Sequence, residues 1–123
     1  MEPTFLLSGA LAAFTGVALG AFGAHGLRTR LSPEMLAVFE TGVRYQMYHA
    51  LALLLTAAAI GRMGDARLLA IAGWCFVAGI VLFSGSLYAL TLSGVSMLGA
   101  ITPIGGLAFL IGWACLALFA AAR

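Results

Sequence analysis

The sequence predicts an all-α integral membrane protein, a four-helix transmembrane bundle with an amphipathic start to the second helix. Three observations carry this. The 123 residues are 63% hydrophobic and 8% charged, which is not the balance of a soluble domain. Mean hydropathy is +1.13. Apolar runs of about spanning length, roughly 20 residues, alternate with short polar stretches. The chain reads as one domain over 1–123, with spans at about 5–24, 44–61, 68–90 and 103–122.

The first span follows a start, Met1 to Thr4, that lacks the Lys or Arg of a signal peptide, so it reads as a retained helix. The second apolar core, Met47–Ile60, is too short alone. Its helix therefore begins earlier, with Ser32 as N-cap, Pro33 in the first position and Glu34 at the positive helix end. From Pro33 to Ile60 only Gly42 interrupts good helix formers, giving a helix of roughly 42 Å. Glu40 and Arg44 in its amphipathic start have the i,i+4 spacing of an ion pair. The third and fourth spans need no such extension. Four spans put both termini on one side with Arg62, Arg67 and Arg123, against Arg28 and Arg30 opposite, plus Arg44 within the second helix. The positive-inside rule then places the termini in the cytoplasm.

Helices in lipid approach through small residues. The first helix offers Ser8, Ala12, Gly16, Gly20 and Ala24 at i,i+4 spacing. The fourth offers Gly105, Ala108, Gly112 and Cys115, and the third offers Gly79. Gly16, Gly20, Gly79, Gly105 and Gly112 are therefore the expected packing positions.

Counting about 1.5 Å per residue from the terminal side sets heights for the polar residues. His49 falls level with Gly16, Gly79 and Gly112, which would leave room for its ring or for a ligand. Arg44 and Ser84 lie above it. Glu40, Ser86, Tyr88, Thr102 and His25 lie near the boundary opposite the termini. A helical wheel groups Gly42, Tyr45, His49 and Thr56, with Glu40 and Arg44 on the other side. His49 thus needs a partner from another helix, a ligand or water. Ionisable groups at membrane depth point to function by default. The candidate ligand-binding residues are His25, Glu40, Arg44, Tyr45, His49, Ser84, Ser86 and Tyr88, with His25 expected to pair with Glu40.

Several chemistries have no support. Basic residues are six scattered arginines, which is no nucleic-acid surface. Cys75 and Cys115 lie inside apolar runs without a Cys-x-x-Cys and read as core residues. Two histidines and few carboxylates do not make a zinc site. His25 and His49 differ by roughly 14 Å in height, too far for one haem iron in a straight bundle. No metal or cofactor is expected. The absence of Lys removes Walker A and Schiff-base chemistry. The reading that remains is non-enzymatic: the protein binds a lipid-like or quinone-like ligand, or supports a membrane assembly or homo-oligomer in the bilayer. The alternative is a histidine-dependent redox or hydrolytic enzyme, with His49 and Ser84 as one conceivable pair.

Four stretches in order, "ALGAFGAHGL", "ETGVRYQMYHALALL", "LFSGSLYAL" and "TPIGGLAFLIGW", resemble the YgdD-like and YwdK-like small membrane proteins grouped as domain of unknown function 423. The resemblance covers nearly the whole chain. It implies a four-span protein of the bacterial plasma (inner) membrane and no particular activity. Its motifs fall on Gly20, Gly23, His25, Tyr45, His49, Ser84, Tyr88, Pro103, Gly105, Gly106 and Trp113.

Overall fold

The computed structural model describes residues 1–123 as four long helices. They are α1 (Glu2–His25), α2 (Pro33–Met63), α3 (Arg67–Ser93) and α4 (Thr102–Ala121). The boundaries follow local chemistry. Ser32 caps α2 as its sequence suggests, accepting from the Met35 N–H at 3.1 Å. α2 then runs unbroken through Gly42. Gly64 and Gly94 end α2 and α3 with φ of 88° and 77°, a region where glycine alone is unstrained. A 3₁₀ turn, Ser96–Ala100, leads into α4.

α1, α3 and the Ser96–Ala121 segment are each long and apolar enough to cross a membrane. α2 is the longest helix, 31 residues, but carries Glu34, Glu40, Arg44 and Arg62. It is also the most buried. Phe39, Gly42, Gln46, His49, Leu53, Thr56 and Ile60 form one inward stripe with steps of three and four, the seam of left-handed helix packing.

α1 runs antiparallel along α2. Gly9 meets Ala50 and Leu53, Gly16 meets Met47, Gly20 meets Val43, and Gly23 meets Phe39. The N-terminal amine lies 3.8 Å from Asp65 in the α2–α3 turn. The fully buried positions of α1 are Phe5, Gly9, Gly16 and Gly23, so the contact line differs from the expected i,i+4 stripe. Ala24 is exposed, and Ser8, Ala12 and Gly20 are only half-buried. Each four-residue step advances about 40° beyond a full turn, so a run of such steps walks around the helix. Seven-residue steps stay on the seam.

α3 and α4 form the second antiparallel pair through exchanged glycine and phenylalanine. Phe109 of α4 fills the space over Gly79, and Phe76 of α3 fills the space over Gly112. Nearer the far end, Gly105 lies against the backbone of Leu82 and Phe83. At that contact α3 changes register, with a π turn over Ile80–Ser84. Below it lies an apolar core of Phe5, Leu53, Ile60, Leu69 and Phe76 toward the terminal end.

Candidate functional site

The candidate polar residues, expected together toward the face opposite the termini, separate into three places. Inside the bundle, Gln46 of α2 joins three helices. Its Nε2 donates to the Ala12 carbonyl and to Thr15 Oγ1, each at 2.8 Å. Its Oε1 accepts from the Tyr88 hydroxyl of α3 at 2.7 Å. Tyr88 lies over Gly42, and Ser84, fully buried, donates to the Gly42 carbonyl at 2.6 Å. Ser86 bonds to the Phe83 carbonyl and to Thr102 at the start of α4. No buried side-chain polar atom lacks a partner. Ser84, Ser86 and Tyr88 therefore fasten helices together. Ser84 is committed to a backbone carbonyl, so the conceivable His49–Ser84 pair is not assembled.

Outside the bundle lie the charged groups. His25, Glu40 and Arg44 are exposed. The only ion pair joins the N-terminal amine to Asp65, so neither a Glu40–Arg44 nor a His25–Glu40 pair forms. With Phe39, Gly42 and Gln46 inward, positions 40 and 44 turn to the outer surface.

His49 belongs to the third place. Trp113 Nε1 of α4 donates to its Nε2 at 3.0 Å. An indole N–H can only donate, so Nε2 carries the lone pair and Nδ1 carries the proton. Nδ1–H then donates to the Tyr45 carbonyl at 2.7 Å. Both nitrogens are engaged and the ring is neutral in this arrangement. Its face stacks on Phe109, centroids 3.5 Å apart and planes 8° apart, and Phe76 lies at 5.7 Å. The glycines level with His49 do not face its ring. Gly79 and Gly112 accept Phe109 and Phe76, and these rings enclose the imidazole, while Gly16 accepts Met47 on the far side of α2.

A cleft of about 370 Å³ opens beside this stack, between α2 and α4. Tyr45, Tyr48 and His49 line it from α2, Phe83 from α3, and Gly106, Phe109, Leu110 and Trp113 from α4. Phe83 lies in the π turn of α3 and reaches the cleft, while Ser84, the next residue and so about 100° round the helix, faces the interior. Such turns recur at functional sites. Gly106 leaves the wall open: a Cβ there would meet only Phe83 Cδ2, at 3.9 Å. Of the three tyrosines, Tyr88 alone has its hydroxyl bonded within the chain.

Of the expected ligand-binding residues, the structure brings only Tyr45 and His49 together at this cleft. Gln46, Tyr48, Phe83, Phe109 and Trp113 carry no signal as lone residues in a sequence full of apolar and aromatic positions. Trp113 lies 64 positions from His49, and only its place in a family motif set it apart.

The profile of the family described as "Protein of unknown function (DUF423)" matches residues 19–106. The chain is 50% identical to the UPF0382 membrane protein YwdK of Bacillus subtilis (strain 168) over 109 residues, 89% of each chain. It is also 50% identical to the UPF0382 membrane protein SAB0533 of Staphylococcus aureus over 111 residues, 89% of this chain and 88% of that one. No solved structure matches it.

Proposed function

The chain belongs to this membrane protein family of unknown function, and from that premise we propose that it holds a lipid-soluble ligand, lipid-like or quinone-like, in the cleft beside His49. The observation that supports this is the cleft itself: about 370 Å³, within the range of small-molecule sites and walled largely by rings. It lies along α4 from Gly106 to Trp113, roughly 6 to 16 Å below the Thr102 end, a depth that lipid-soluble molecules reach. His49 serves as a wall, since both its nitrogens are already engaged.

In this reading α2 is the fourth span. Its polar groups either join the interior network or lie toward the ends, and its length of 31 residues crosses core and headgroups. Arg62, Arg67 and Arg123 at the terminal end favour cytoplasmic termini in a bacterial plasma membrane.

The test is mass spectrometry of the protein extracted with its native lipid. One small molecule per chain is expected in the wild type and none in Gly106→Leu, which fills the cleft at an open position. Retention of no small molecule, with one specific membrane protein copurifying, would replace ligand binding with a role in assembly.

A further inference from the structure

Resting on the cleft reading above, we propose that the occupant is a flat, uncharged ring bearing a polar oxygen, a quinone-like headgroup, and not the headgroup or acyl chain of a phospholipid. The walls decide the shape. Tyr45 and Phe83 lie with centroids 4.8 Å apart, and Phe109 and Phe83 at 5.5 Å. The stacked His49 and Phe109 form the base. Rings that line one cleft stack a planar guest at offset or edge geometry, a gain beyond buried area. A flexible acyl chain would lose rotational freedom there without that return.

Charge excludes the phosphate. No Arg, Asp or Glu lines the cleft, and the one imidazole has no free N–H to give. An anionic headgroup would stand there without a counter-charge, which is strongly unfavourable in an apolar setting. A carbonyl or ether oxygen needs only a hydroxyl donor. Tyr45 and Tyr48, 38% and 52% exposed, line the cleft, and their hydroxyls bond to no group of the protein. Gly106 keeps the remaining wall flat, because any side chain there would project into the space a ring would fill.

Two tryptophans make the test direct. Trp113 lines the cleft, and Trp74 packs elsewhere, edge-on to Phe5. A Trp74→Phe protein in lipid vesicles therefore reports from the cleft alone. Titration with a decyl-substituted benzoquinone should quench Trp113 with a saturable component of one site per chain. Gly106→Leu should weaken that component at least tenfold. Tyr45→Phe with Tyr48→Phe should weaken it about fivefold, the worth of one neutral hydrogen bond. A parallel titration uses phosphatidylcholine brominated on its acyl chains. If that lipid gives the saturable, Gly106-sensitive quenching and the benzoquinone does not, the ring proposal fails while the cleft remains a ligand site. If neither probe saturates, both readings fail.

Discussion

Adjacent residues with the same side chain have opposite roles. Gly105 lies against the backbone of Phe83, whereas Gly106 faces the open cleft. Gly105→Ala should lower the unfolding temperature in detergent, because backbone atoms cannot move aside for a methyl group. Gly106→Ala should leave stability unchanged or raise it, by up to about 1 kcal/mol from helix propensity. Equal losses in the two would refute the assignment. The sequence places both glycines at one height and gives no means of separating them, since one position along a helix turns the side chain by about 100°. The His49–Trp113 bond makes a second residue-level prediction. Trp113→Phe leaves Nε2 without its donor and should cost about 1–2 kcal/mol. In a double-mutant cycle with His49→Phe the losses should be less than additive, and strict additivity would mean that the bond contributes nothing. The sequence does show that His49 needs a partner from outside its own helix face. It does not show which, because the donor is an aromatic residue 64 positions away.

At the scale of the element, α2 explains both what could be read and what could not. Its start is legible because capping is local: Ser32, Pro33 and Glu34 act within one turn. Its rotation about its own axis is not local. It is fixed by Met47 filling the space over Gly16 and by Tyr88 lying over Gly42. Height alone groups Glu40 and Arg44 with the buried polar residues; the helical wheel sets them on the side away from His49, and the structure turns that side outward. Gln46→Leu should therefore destabilise the bundle by about 1–2 kcal/mol, since it removes the link between α1 and α3. Glu40→Ala and Arg44→Ala should each change thermal stability by less than about 0.5 kcal/mol and show no coupling, as expected of exposed, unpaired side chains. The π turn of α3 is the other element-scale feature that the sequence hides. Nothing in Ile80–Ser84 breaks a helix; the turn accompanies the close approach of Gly105.

For the whole molecule, the number of helices, their order and their membrane character follow from composition and run length. These are sums over many residues, so no single contact can overturn them. Which helices meet is another matter. The least apolar helix, α2, packs between α1 and α3, and its hydrogen-bonding groups find there the partners that lipid cannot offer. With α1 antiparallel to α2, and the N-terminal amine beside Asp65, single cysteines at Asp65 and Arg123 in a background lacking Cys75 and Cys115 should react with an impermeant thiol reagent from the same side. One at Arg30 should react from the other; labelling of all three from one side would exclude the four-span arrangement. The exchange between α3 and α4, where Phe109 fills Gly79's space and Phe76 fills Gly112's, also bears on how this protein can evolve. A larger residue at either glycine is admissible only if the opposing ring shrinks in the same lineage. Positions 79 with 109, and 76 with 112, should therefore be inherited as linked pairs across descendants of this chain, with their mismatched intermediates rare.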